Sequence, residues 1–387
     1  MKVEHQIRTF ESILKAYKHD MPLHRFLPNY YKQHKKMGSS DRRWASRYVY
    51  SYFRLGTSFQ SLDHVEKLGI ADFLCNETDS LIVAKVLPEL TAQQSLSKIE
   101  KVNLIKAKYP DFELSQLFPL SGYLSPGIDQ QEFQLSHLTQ PDVFIASTEK
   151  NSSEIEEIFI DLGIHYRRIG KTTLAFPNST KLEMLIPKNI AYRIQDLSSQ
   201  TTADFMDPKP FEYWWDCCAA SGGKSLLLHQ KEPKIQLLVS DNRESMINNL
   251  NSRFAEFGIK KYQAKVLDLL LNNDQILHNY VFDGIVLDIP CTGSGTWGRT
   301  PEMLTSFEER KIEQFNQLQK SISGNVVKYL KIGKPLIYIT CSVFKKENED
   351  IIQYLVENFP LKLEQMQTIK GYTEKADSMF VARLIKQ

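Results

Sequence analysis

From about residue 211 onward, short apolar runs alternate with amphipathic stretches, and the apolar runs end in aspartates, cysteines or turns of small residues. Runs at 213–218, 235–241, 266–269, 282–289 and 336–341 read as strands of a mostly parallel sheet buried on both faces, because helices fill every gap between them. One helix spans 243–257 and stops at Gly258, and another opens at a Ser306/Glu309 capping box and runs to Gly333. The expected fold class is a C-terminal α/β, Rossmann-like domain. Ligands of such sheets sit at the carboxyl ends of the strands, so the residues placed there are the candidates for chemistry.

Upstream the pattern changes. Residues 5–107 show helical spacing, as in Ile7, Phe10, Ile13 and Leu14, then Trp44, Tyr48 and Phe53 after a Ser40 N-cap. Pro110, Pro119, Pro126 and Pro141 break the next stretch into a connector. A strand at 143–145, a helix at 152–162 closed by Gly163 and strands at 166–169 and 173–176 make a small α+β module. The expected domains are therefore an all-α region with connector at 1–135, the module at 140–195 and the α/β domain at 196–387. The first sixty residues carry twelve basic groups against four acidic ones, interleaved with Tyr30, Tyr31, Trp44, Tyr48, Tyr50, Tyr52 and Phe53. Such a mixture binds phosphates and unstacked bases, or else forms a helical bundle with an aromatic core and solvated basic faces; composition leaves both open.

Five cysteines, with Cys217 and Cys218 adjacent and no CxxC pair, suit neither a disulfide framework nor a zinc site, and no metal is expected. A reducing cytoplasm fits that usage. Neither an apolar signal core nor a run of eighteen apolar residues appears, so neither secretion nor a membrane partner is indicated.

Four strand ends carry the chemistry. Asp216-Cys217-Cys218-Ala219-Ala220-Ser221-Gly222-Gly223-Lys224-Ser225 is a small-residue turn that lets backbone approach a ligand. Its Gly-Lys-Ser piece lacks the earlier glycine of a phosphate loop, where Cys218 stands, and no GxGxxG is present. Asp241 follows the turn by some twenty residues, where a carboxylate can take ribose hydroxyls, whereas a lone strand-end aspartate can equally be a helix cap. Asp288-Ile289-Pro290-Cys291-Thr292-Gly293-Ser294-Gly295 and Thr340-Cys341-Ser342 each put a cysteine just past a strand, close to bound substrate.

These motifs, with Gln195-Asp196-Leu197-Ser198-Ser199-Gln200 and Glu347-Asn348, resemble the Sun/Fmu-type RNA cytosine-5 methyltransferases. The N-terminal stretch from Ser40-Asp41-Arg42-Arg43 through Tyr50 and Arg54 is similar to the antitermination-factor NusB type of RNA-binding helical domain. The resemblance implies S-adenosyl-L-methionine as cofactor, held by Cys218, Ala219, Ala220, Ser221, Gly222, Gly223 and Lys224, with Asp241 on the ribose, Asp268 near the adenine and Asp288 between cofactor and base. It further implies Cys341 as nucleophile at carbon 6 of a cytosine, Cys291 as the group that assists release, and Asp288 on the N3 edge. RNA, ribosomal RNA first, is the implied partner, with Arg42, Arg43, Arg47 and Arg299 among the phosphate contacts and no DNA expected. Ser221, Ser225 and Gly298 depart from the family pattern without removing a reacting group, and Phe144-Ile145-Ala146-Ser147 stands where the family carries an arginine and an asparagine. A transfer-RNA enzyme and a non-catalytic RNA-binding protein of the same fold are the alternatives; a DNA cytosine-5 methyltransferase would leave Cys341 without a role.

Overall fold

The computed structural model describes residues 2–387, and the chain divides into two compact units. The first comprises residues up to Gly122, Asp129–Pro141 and Thr296–Glu308; the second comprises Tyr123–Ile128, Asp142–Gly295 and Glu309–Gln387.

The first unit is helical, with its longer helices at Lys2–Ala16, Leu23–Gln33, Ser39–Arg54, His64–Cys75 and Lys98–Lys108. Phe10, Ile13, Tyr48, Val49, Leu68, Phe73 and Ile105 are fully buried in its core, so part of the aromatic content is ordinary packing. Tyr48 keeps its hydroxyl satisfied by donating to Gln6 Oε1 at 2.9 Å. The helix expected to start at a Ser40 cap starts two residues earlier: Gly38 is the N-cap, its backbone N–H donating to the Asp41 carboxylate at 3.1 Å, and Ser40 lies in the first turn.

Thr296–Glu308 joins this unit although sequence order assigns it to the α/β domain. Arg54, 3% exposed, explains why. Its guanidinium donates to the carbonyls of His137 (2.9 Å), Thr139 (3.1 Å) and Gly298 (2.9 Å) and to Gln140 Oε1. Leu23 N–H donates to the buried Glu302 carboxylate at 2.9 Å, and Trp297 packs against Phe118 and Phe307.

The second unit contains two sheets. Strands β1 (Val143–Ser147), β2 (Arg167–Ile169), β3 (Thr173–Phe176) and β4 (Tyr192–Ile194) pair antiparallel in the order β2-β3-β1-β4, under a helix at Glu149–Asp161. Strands β5 (Tyr213–Asp216), β6 (Gln236–Asp241), β7 (Gln263–Val266), β8 (Gly284–Asp288) and β9 (Pro335–Thr340) are parallel, and β10 (Leu361–Ile369) with β11 (Met379–Lys386) adds an antiparallel hairpin beside β9. The order β10-β11-β9-β8-β5-β6-β7 makes the parallel part doubly wound, as expected. Three details differ. β7 sits at Gln263–Val266 rather than 266–269; as an edge strand it is mostly exposed and polar, so its apolar signal is weak. The Ser306/Glu309 box does not form: a short helix occupies Met303–Ser306 and the long one is Arg310–Val327, without a side-chain cap. β4 and the β10–β11 hairpin lie outside the five-strand pattern: β4 is three residues long and β10 is largely solvent-facing, while β11 is a buried apolar run that the five-strand reading left unassigned.

Among the described residues, no helix is long and apolar enough to cross a membrane. Arg54→Leu strands one buried and two partly buried carbonyl acceptors and is expected to cost about 3 kcal/mol of stability, read as a lowered urea midpoint in equilibrium unfolding.

Candidate active site

The sheet reverses its winding between β5 and β8: one path runs from β5 through β6 to β7, the other from β8 to β9. That crevice is where such folds hold ligands. The turn after β5 enters it with Ala220 at φ 45° and Gly222 at φ 82°. A Cβ on Gly222 would lie 2.7 Å from Phe254 Cε1, so this glycine is required both by its backbone angle and by helix packing. Lys224, buried in the first turn of the helix Gly223–Lys231, donates to Ser199 Oγ at 2.8 Å and pairs with Asp288 Oδ2 at 3.1 Å. One ammonium thus ties the β5 turn to the carboxyl end of β8.

Asp216 closes β5 and is fully buried. Ser225 Oγ donates to its Oδ2 at 2.6 Å while Oδ1 has no partner. Burial, with the Asp288 charge adding to it, pushes its carboxyl up to about 7.

The proposed cofactor acids differ from one another. Asp241, 5% exposed, accepts from Ala220 N–H (3.1 Å) and Arg243 N–H (3.0 Å), and Arg243 lies across it through Nε (2.9 Å) and Nη2 (3.2 Å). A sugar hydroxyl reaches this carboxylate only if the Arg243 side chain, 57% exposed, swings away. Asp268 is exposed and accepts from Leu270 N–H at 2.9 Å, a turn-capping bond that leaves its second oxygen for a ligand.

The two cysteines, fifty residues apart in sequence, meet. β8 and β9 run side by side with Asp288 opposite Ile339, so both chains leave the sheet together and Cys291 Sγ lies 3.3 Å from Cys341 Sγ. Gly295 N–H donates to Cys341 O at 2.9 Å, and a Cβ on Gly295 would lie 2.0 Å from Ser378 O. The hydrogen bond to Cys341, and then burial, push the Cys291 thiol well up.

What holds this pair is Glu347, fully buried. Its carboxylate accepts from Thr292 N–H (2.9 Å), Thr292 Oγ1 (2.5 Å), Gln319 Nε2 (3.0 Å) and Ser342 Oγ. Thr292 and Ser342 are the residues that follow the two cysteines. Asn348 continues the clamp, accepting from Thr340 Oγ1 at 2.6 Å and donating to Ser342 O and Ser125 Oγ, each at 3.0 Å. Burial raises the Glu347 carboxyl even against these donors. Glu347-Asn348 is visible as part of a motif, but its partners at 292 and 319 follow no spacing rule and sequence gives it no role.

Of the expected phosphate contacts, Arg42 and Arg43 are exposed on the helix Ser39–Arg54. Arg47 is not available: Nε and Nη2 clasp Asp72 at 2.7 and 2.8 Å, and Nη1 donates to Thr78 Oγ1. A planar guanidinium with a buried carboxylate partner is a packing element here. Arg299 is half-buried in the segment that joins the helical unit. Phe144 and Ile145 are core residues of β1. Among the described residues, no group of three or more His, Cys, Asp or Glu side chains is placed to hold a metal.

A doubly wound sheet with this crevice defines a Rossmann-like methyltransferase fold, and the comparisons agree. The crystal structure of PH0851 superposes with a TM-score of 0.69 over 93% of both chains at 21% identity, and a methyltransferase homolog from Pyrococcus horikoshii with 0.57 over 73% of this chain and 98% of that one at 19%; at these identities the likeness is one of fold. Residues 203–385 match the family described as 16S rRNA methyltransferase RsmB/F. Ribosomal RNA small subunit methyltransferase B of Salmonella paratyphi A is 29% identical over 236 residues, 55% of this chain and 52% of that protein, and its counterpart in Salmonella typhi gives the same figures. The chain spans about half the length of the curated relatives it matches.

Glu347→Gln places an amide N–H among donors and is expected to cost about 2 kcal/mol and, by shifting the thiol pair, to slow turnover on the order of a hundredfold; thermal unfolding and single-turnover rates check both. Asp216 generates a pH signature. Its carboxyl is raised from 3.8 unfolded to about 7 folded, so the folded state keeps a proton that the unfolded state loses, and stability falls as pH rises through that window. The stability difference between wild type and Asp216→Asn should change by up to about 4 kcal/mol from pH 4 to 7 in urea titrations, with the wild type the more pH-sensitive.

Proposed function

We propose that this protein transfers the methyl group of S-adenosyl-L-methionine to carbon 5 of a cytosine in RNA, ribosomal RNA in particular, through a covalent bond between Cys341 and carbon 6. The observation that carries this reading is the 3.3 Å pair of sulfurs beside Asp288 at the switch point of the sheet. The names of the family and of the Salmonella relatives support the ribosomal substrate.

The residues fit the cofactor. The β5 turn supplies open backbone, Asp241 supplies an acceptor for ribose hydroxyls once Arg243 moves, and Asp268 stands further along the same edge. When bound, the cofactor supplies an electrophilic methyl group next to a sulfonium.

Carbon 5 of cytosine is too weak a nucleophile to take that methyl unaided. The Cys341 thiolate adds to carbon 6, the S–C bond forms, and the electron pair of the carbon 5–carbon 6 double bond is freed toward carbon 5 and N3. Asp288, held by Lys224, meets the N3 edge and supplies the proton or hydrogen bond that stabilises that charge. After methylation, the carbon 5 proton is lost to solvent, the bond between carbon 6 and sulfur breaks as the double bond re-forms, the Cys341 thiolate departs, and any proton taken up at N3 returns to Asp288. Cys291 assists this elimination, in contact with the leaving sulfur.

Bisulfite sequencing of ribosomal and transfer RNA from cells carrying the wild-type gene, a deletion or Cys341→Ala tests the reading. One ribosomal cytosine should lose its mark in both mutants. Loss at a transfer-RNA cytosine instead would reassign the substrate, and no change at any site would sink the enzymatic reading. Purified Cys291→Ala should accumulate an RNA adduct that survives denaturing electrophoresis, and Cys341→Ala should form none.

A further inference from the structure

The helical unit contains a cavity of about 420 Å³ that the methyl transfer does not use, within the range of about 300–1,000 Å³ typical of ligand pockets. Tyr17, Tyr52, Phe53 and His19 furnish its walls. The Tyr17 ring lies 5.7 Å from that of Phe53 and 4.5 Å from His19, and Tyr52 lies 5.6 Å from Phe53, centre to centre. His64 at the edge holds the Tyr52 hydroxyl at 2.7 Å through Nδ1. His19 stands in the left-handed region at φ 58°, a costly conformation for a residue with a Cβ.

Lys67 is the unusual member. It is 6% exposed, and its Nζ sits 4.8 Å from the centre of the Tyr52 ring. Its single hydrogen bond is a long one, 3.5 Å to Gly56 O. No carboxylate offsets its charge, and burial brings its pKa down to about 8. An ammonium has three N–H donors, and burying one this poorly satisfied is unfavourable unless something else supplies acceptors. Lys15, exposed in the last turn of the first helix, adds a second positive charge at the mouth. Glu11, one helical turn before Lys15, also lines the cavity, so the cavity's ammonium groups outnumber its carboxylates two to one; aromatic walls with a cation at depth and one at the rim suit a planar ring bearing carbonyl oxygens with a phosphate attached.

We propose that this cavity holds one unstacked nucleotide of an RNA, with the base against Tyr17, Tyr52 and Phe53, a base carbonyl accepting from Lys67, and the phosphate meeting Lys15. The inference rests on the RNA reading given above but concerns docking rather than chemistry.

Two variants of the full chain test it, with binding to single-stranded RNA of mixed sequence followed by fluorescence anisotropy. Lys67→Met should weaken RNA binding about tenfold while its melting temperature holds or rises, because a poorly paired buried charge is replaced by an apolar chain of similar length. Lys15→Glu, at an exposed position that folding does not depend on, should weaken RNA binding as well. Cytidine 5′-monophosphate should show saturation transfer in NMR with the wild type and lose it with Lys67→Met. Affinity for S-adenosyl-L-methionine should be unchanged in both variants. Wild-type RNA affinity in both variants overturns the proposal, all the more if Lys67→Met melts lower, since that would make Lys67 a purely structural residue. Lys67-dependent RNA binding without methylation would instead leave the pocket standing and remove the enzymatic reading.

Discussion

Glu347 is a carboxylate sealed from water, and the two cysteine loops hang from it. Backbone and hydroxyl donors from Thr292 and Ser342 converge on its oxygens, so the residues after Cys291 and Cys341 are fixed to one another rather than to separate parts of the fold. A buried carboxylate satisfied by four hydrogen bonds tolerates little displacement, because each donor pulled away is a buried polar group left unpaired. The distance between the sulfurs inherits that rigidity. Asn348 extends the same clamp to Thr340 and Ser125.

The sheet supplies the frame within which the clamp works. Parallel neighbours β8 and β9 deliver their loops on the same edge, and β5 delivers the small-residue turn beside them. Lys224, itself buried, then joins the turn to the partly exposed Asp288 through one ion pair, placing positive charge beside the carboxylate that the proposed reaction needs. Asp216 beneath carries the opposite signature, a buried acid with an orphan oxygen whose proton is retained up to about neutrality.

Buried cations organise the helical unit in two different ways. Arg54 spends its donors on carbonyls and draws Thr296–Glu308 into the unit, while Arg47 is neutralised by Asp72. Lys67 alone of these three has neither a carboxylate nor a full set of acceptors, which is why the cavity beside it stands out from the ordinary aromatic core around Tyr48 and Phe10.

The sequence by itself determined the doubly wound α/β core, the helical and small α+β regions before it, and the strand-end positions of Cys291, Cys341, Asp241 and Asp288, because buried parallel strands leave continuous apolar runs and their ends are marked by turn residues. Edge strands and short solvent-facing ones, such as β7, β4 and β10, leave no such run and were shifted or missed. Only the tertiary structure decided that Arg47 is an internal ion pair, that residues 296–308 pack with the helices, that Arg243 covers Asp241 and that Glu347 clamps the thiol pair. Each of these is a contact between residues distant in sequence, or a choice between partners of equal chemistry, and local periodicity carries no record of which one is made.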